Sequence, residues 1–300
     1  MLGQFLRPRK NRLSQSQPRA RAAARPAAWL AARFCLSLTD FALASLIMGA
    51  PTSGRASSTV RAAVSKVPEI TIGFWVVKVL TTGMGETTSD FLARSIGPGI
   101  AVPMGGLAFA AAMLWQLSRR GFSPWPYWAA VSMVSVFGTM VADVLHVGLG
   151  IPYLVSTVAF SVTLAVVFWA WYAREGTLSI HSITTRRREL FYWVTVLATF
   201  ALGTAAGDMT ATTLHLGYFG SGLLFAGLIA APAIGHWRFG LDPVVAFWSA
   251  YVVTRPLGAS FADWAAVPGS RGGLDIGYGT VSIALALLIV ALVAAWPRLP

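Results

Sequence analysis

Phe74-Trp75 … Gly85 … Asp90, Tyr127-Trp128 … Gly138 … Asp143, Tyr192-Trp193 … Gly203 … Asp208 and Phe247-Trp248 … Gly258 … Asp263 are four copies of one pattern. Each copy has a Trp-to-Gly offset of 10 and a Gly-to-Asp offset of 5. The residue before each Asp is small: Ser89, Ala142, Gly207 and Ala262. Trp and Asp are uncommon in apolar sequence, so the coincidence marks one structural unit used four times.

The surrounding composition sets the class. Hydrophobic residues make up 56 % of the chain, charged residues only 11 %, and mean hydropathy is +0.65. A soluble domain carries about 25 % charged residues. Several apolar stretches reach the ~18 residues that a transmembrane helix needs. The expectation is an all-α, polytopic membrane protein. The net charge of +12 is no nucleic-acid signal, because 11 of the 23 Lys and Arg lie in residues 1–66 and most others sit between apolar segments. One cysteine, Cys35, excludes an internal disulfide and a cysteine-based metal cluster.

Residues 1–66 form a basic N-terminal extension unlike the repeats. Residues 1–27 read as disordered. Residues 28–50 read as a signal peptide, as a weak extra hydrophobic segment, or as sequence upstream of a true start at Met48. The repeats then occupy 67–122, 123–189, 190–240 and 241–300. Each supplies two apolar segments: 69–92 and 100–117, 125–147 and 151–172, 190–214 and 218–237, 243–265 and 277–296. The reading is eight transmembrane helices from four parallel two-helix repeats. Lys66, Arg119, Arg120, Arg174, Arg186, Arg187, Arg188, Arg238 and Arg298 fall on one side, against Arg94 and Arg271 on the other. By the positive-inside rule both termini are cytoplasmic. A pseudo-fourfold ring, or two pairs about a twofold axis, is the packing expected of such repeats.

The repeated residues divide by role. Trp75, Trp128, Trp193 and Trp248 begin near the cytoplasmic ends of their helices and fit an interfacial aromatic belt, with substrate stacking as the alternative. Gly85, Gly138, Gly203 and Gly258, each followed four residues later by a small residue, offer close helix packing. Asp90, Asp143, Asp208 and Asp263 lie 15 residues beyond the Trp, about 22 Å along a helix. A carboxylate there costs about 2.5–3.5 kcal/mol on insertion scales and so faces a cavity or a partner. Alternatively, each Asp caps the Gly-rich turn that follows it.

Repeats 1 and 4 break the symmetry. Repeat 1 adds Lys78 and Glu86, with Glu86 and Asp90 on one helix face. Repeat 4 adds Arg255-Pro256, where the proline should bend the helix. Lys78 and Arg255 are either functional or counter-ions for the acids. His146 lies three residues after Asp143 and His215 seven after Asp208, and a His–carboxylate pair can ligate a transition metal. Repeats 1 and 4 lack such a histidine, so no metal site is assigned. His181 and His236 carry no signal. Nucleotide and nucleophile-elbow motifs are absent from the sequence, so no cofactor or catalytic residue is assigned and the chain is not read as an enzyme.

Four stretches, Gly85–Phe91, Leu178–Ile183, Ala201–Asp208 and Thr254–Ser260, are similar to segments of an uncharacterised bacterial inner-membrane family. That family is built of four tandem two-span repeats, each with a tryptophan, and the likeness covers about residues 66–296. The resemblance implies an inner-membrane protein and brings no activity.

Together these readings favour a transporter or permease for a cation or small cationic solute, bound by the four Asp and Glu86 with Lys78 and Arg255 nearby. The alternative is an accessory or scaffold protein whose Asp residues are helix caps. The partners expected are the lipid bilayer and the cation, with no nucleic acid. Oligomeric state is not readable.

Overall fold

The computed structural model describes residues 65–296. The expectations for 1–27, 28–50, Met48, Cys35 and Arg298 lie outside the described residues. Within them the chain is all-α, and its eight long helices are α1 (Ile72–Ile96), α2 (Pro98–Ser118), α3 (Pro124–Asp143), α4 (Tyr153–Glu175), α5 (Arg186–Asp208), α6 (Gly217–Phe239), α7 (Pro243–Ala266) and α8 (Tyr278–Ala294). These bounds agree with the apolar segments to about one helical turn.

Local chemistry explains where the helices start and stop. The Thr71 and Thr185 hydroxyls accept from the amides of Phe74 and Arg188. One Asp242 carboxylate oxygen accepts from Val244 and Val245 at 2.9 and 3.1 Å. Proline begins α2, α3 and α7, where no amide hydrogen is needed. Gly176 and Gly240 end α4 and α6 in the left-handed conformation. Pro256 does not interrupt α7, which continues ten residues past it to Ala266.

The first helices of the four repeats form the centre. In cyclic order α1 packs on α3, α3 on α5, α5 on α7, and α7 on α1. The second helices lie outside, each against the first helix of the following repeat: α2 on α3, α4 on α5, α6 on α7, and α8 back on α1. This stagger closes the ring, because the last repeat supplies the cover for the first.

The two shells bury different things. On the outer helices Leu107, Leu114, Trp169, Trp237 and Leu287 are 65–74 % exposed. An apolar surface of that kind over four helices suits hydrocarbon rather than water. The inner helices carry buried hydroxyls instead. Thr81, Thr87, Thr139, Thr199, Thr204 and Thr254 each donate to a carbonyl one turn earlier on their own helix. Helices α2 and α4, α6, and α3 and α5 with their extensions are long and apolar enough to cross a membrane. Charged residues lower the hydropathy of α1 and α7, and α8 has only 17 residues. The architecture is compatible with an integral membrane protein.

The tryptophans depart from the belt expectation. Trp128, Trp193 and Trp248 are buried, and the partly buried Trp75 packs beside Phe74 and Phe247. Trp248 meets Phe168 and Trp171 of α4 edge-on and donates its indole N–H to the Leu178 carbonyl at 3.0 Å. The outer helix of the second repeat covers that ring of the fourth, so it faces protein. Sequence spacing gave the height of these residues and not their direction.

Candidate functional site

Each motif glycine is where the next central helix touches. A Cβ on Gly85 would fall 1.8 Å from Ser135 Oγ, and one on Gly258 1.8 Å from Thr82 Oγ1. Gly138 and Gly203 likewise abut Phe200 and Arg255. In all four cases the contacted residue stands three before the glycine of the next repeat. The small-residue spacing therefore sets a cyclic contact, and the helices approach until backbone meets side chain.

That contact aligns equivalent residues into layers across the ring. Seven residues before the glycines stand Lys78, Val131, Val196 and Tyr251, all with 0 % exposure. One residue after them stand Glu86, Thr139, Thr204 and Ala259, and five after them the Asp residues. Arg255 starts three residues before its glycine, one helical turn from the Glu86 layer, and its side chain spans that turn. Its Nη2 donates to Glu86 Oε2 at 2.5 Å, to Thr204 Oγ1 at 2.7 Å and to Thr139 Oγ1. Three repeats thus grip the guanidinium supplied by the fourth. Both charges are buried, at 0 % and 4 % exposure.

Lys78 is not a counter-ion for the acids. Its Nζ is fully buried without a hydrogen-bond partner, 4.1 Å from the Phe200 ring centre and 4.3 Å from that of Tyr251. Toward the tryptophan end, the Tyr127 and Tyr192 hydroxyls meet at 2.6 Å. Buried aromatic side chains and Lys78 therefore fill the ring on one side of Arg255.

On the other side the acids gather. Carboxylate oxygens of Glu86, Asp208 and Asp263 lie within 4.8 Å of one another. Asp143, Asp208 and His146 form a second group at the same spacing, so Asp208 belongs to both. Ser89 donates to Asp143 at 3.4 Å. Asp143 and Asp208 are half-buried, which gives this end of the ring access from outside. Asp90 belongs to neither group and is bridged to Arg94 one turn on at 3.1 Å. Arg94 also lies over the ring of Tyr278.

The chain after the acids differs between repeats. α1 and α7 continue past Asp90 and Asp263, whereas α3 and α5 widen immediately after their Asp into single π-helical turns, Val144–Gly148 and Met209–Thr213. Their closing bonds match: Leu149 and Leu214 donate to the carbonyls of Val144 and Met209, both at 2.9 Å. Such turns recur at functional sites.

A family model described as Repeat of Unknown Function (DUF347) matches residues 73–122, 126–177, 191–241 and 246–299. The chain belongs to this family. No match was found among curated proteins or among solved structures. The matches coincide with the four structural units, so a DUF347 repeat is one central helix followed by one outer helix that covers the next repeat's centre.

Set against these DUF347 repeats, the expected residues sort into three groups. Glu86, Asp143, Asp208 and Asp263 come together beyond Arg255, while Asp90 and Lys78 are held elsewhere. None of the four Asp side chains accepts from the backbone of the turn after it among the described residues, so the capping expectation is not met. His215 is exposed with φ +54° and lies outside both groups, because α5 has ended and the sevenfold face spacing no longer applies. His146 is buried and inside. Thr139 and Thr204 were missed, although aligning the repeats on their glycines puts both in register with Glu86. Ser156, which holds His146, comes from the next helix and has no sequence signal.

Proposed function

We propose that this chain is a transporter or permease for a cation or small cationic solute, crossing the membrane eight times with both termini cytoplasmic. The observation that carries it is the sharing of Asp208 between two acidic groups at the half-open end of a closed ring. An ion held by Asp143 and Asp208 moves to Glu86, Asp208 and Asp263 without losing one of its ligands. Four carboxylates so close repel one another, and a cation offsets that repulsion. Glu86 is also the partner of Arg255, so an arriving cation competes with the guanidinium for it. That competition links ion binding to the packing of the four central helices, which is what alternating access needs.

The eight-span reading is supported by where the charges of α1 and α7 point. Lys78, Glu86 and Arg255 face the ring, so the helices carrying them present apolar surface outward. The Lys- and Arg-rich ends of the helices, tied by Lys66 to Glu189 at 2.5 Å, support reading that side as cytoplasmic. The scaffold alternative loses its main argument with the caps.

The test is uptake of cations into vesicles containing the purified protein. Asp208→Asn abolishes uptake while the protein still inserts and melts cooperatively. Uptake equal to wild type in Asp208→Asn refutes the reading.

A further inference from the structure

One of the two acidic groups contains a histidine with a buried, unpartnered ring nitrogen. The His146 imidazole is buried, with 8 % exposure. Its Nε2 lies 2.5 Å from Ser156 Oγ, while its Nδ1 is buried with no hydrogen-bond partner. Ser156 Oγ has acceptors of its own in the carbonyls of Tyr153 at 3.1 Å and Pro152 at 3.3 Å. In the tautomer with its proton on Nε2, the imidazole donates to the serine oxygen. That tautomer puts a lone pair on the buried Nδ1, and a ring nitrogen of His146 lies within 4.8 Å of carboxylate oxygens on Asp143 and Asp208.

Two acceptor carboxylates and an acceptor nitrogen, with no donor among them, want a cation. We propose that Asp143, His146 and Asp208 bind a divalent transition-metal ion. Imidazole nitrogen with carboxylate oxygen suits Zn²⁺, Co²⁺, Ni²⁺ or Fe²⁺, whereas Mg²⁺ and Ca²⁺ take oxygen alone. A metal-ligating histidine is held through its other ring nitrogen by an outer partner, and Ser156 has that position. The residue equivalent to His146 in repeat 3 is Ala211, so the ring builds this ligand once. The π-helical turn Val144–Gly148 carries His146. The site specifies the ion class for the permease proposed above and rests on that reading only for the onward movement of the ion.

The experiment uses the full chain in detergent micelles, with Co²⁺ as the probe, read by visible absorption and by equilibrium dialysis against Ca²⁺. Wild type binds one Co²⁺ per chain with a spectrum of mixed nitrogen and oxygen ligation. His146→Gln, which offers only an amide, weakens Co²⁺ by about 10–100-fold and leaves Ca²⁺ within about threefold, while Ser156→Ala weakens Co²⁺ by about tenfold through the freed ring. Thermal melts confirm that each variant is folded. If His146→Gln does not fold, Ser156→Ala and Asp143→Asn decide the matter. Absence of Co²⁺ binding in wild type, or variants that bind Co²⁺ as wild type does, overturns the site. Vesicle uptake separates the two proposals. Co²⁺ binding without any cation uptake upholds the site and refutes the permease, and cation uptake without Co²⁺ binding does the reverse.

Discussion

Removing the Glu86 charge tests the centre of the structure most directly. Glu86→Gln leaves Arg255 buried with no carboxylate bonded to it, in a ring that also holds Lys78. Breaking a buried pair from one side costs about 3–5 kcal/mol. At about 2–4 °C per kcal/mol for a chain of this size, the melting temperature falls by about 6–20 °C. Arg255→Met alone costs a similar amount, since Glu86 then faces Asp208 and Asp263 without its cation. The double variant is the informative one. The Thr139 and Thr204 hydroxyls also donate to the carbonyls of Ser135 and Phe200 at 3.0 and 3.2 Å, so losing the guanidinium does not orphan them. Replacing the whole pair by neutral groups should therefore return stability to within about 1 kcal/mol of wild type. The assay is tryptophan fluorescence during thermal unfolding in micelles, for wild type, both single variants and the double. A double variant as unstable as the two single losses added together refutes the pairing.

Further outcomes follow from the same geometry. Gly258→Ala puts a Cβ 2.7 Å from the Val79 carbonyl oxygen and should cost about 1–3 kcal/mol, whereas Gly227→Ala, with open space around it, should be neutral or gain up to about 1 kcal/mol in the same unfolding assay. Lys78→Met removes a buried amine with no hydrogen-bond partner and should hold or raise the melting temperature; a fall of several degrees would mean that the two ring contacts outweigh the desolvation. Asp90→Asn breaks only a half-exposed pair with Arg94, so it should change stability by less than about 1 kcal/mol and spare cation binding, in contrast to Asp208→Asn. Dialysis with both variants checks that contrast.

Much of the architecture was legible in the chain itself. The Trp–Gly–Asp spacing set the four units, and the apolar lengths set eight helices with nearly the observed bounds. The spacing of small residues named the positions of closest helix approach. These features are local: they depend on propensity, chain length and helical periodicity, all of which one sequence records.

Other features were decided by which helix meets which. The repeats are alike in sequence, yet Asp90 turns to Arg94 while Asp143, Asp208 and Asp263 gather beyond Arg255. Packing against other helices buries three tryptophans that spacing alone had assigned to an interface. Lys78 and Arg255 looked equivalent as lone basic residues, but only the Arg255 side chain reaches Glu86, Thr139 and Thr204. His146 and His215 looked equivalent as well, until the chain after each Asp took its own course. A side chain's neighbours across a helix ring come from residues 50 to 180 positions away, and helical periodicity gives the face without naming what faces it. The ring therefore decided the chemistry of this protein, and the sequence by itself determined the parts from which that ring is built.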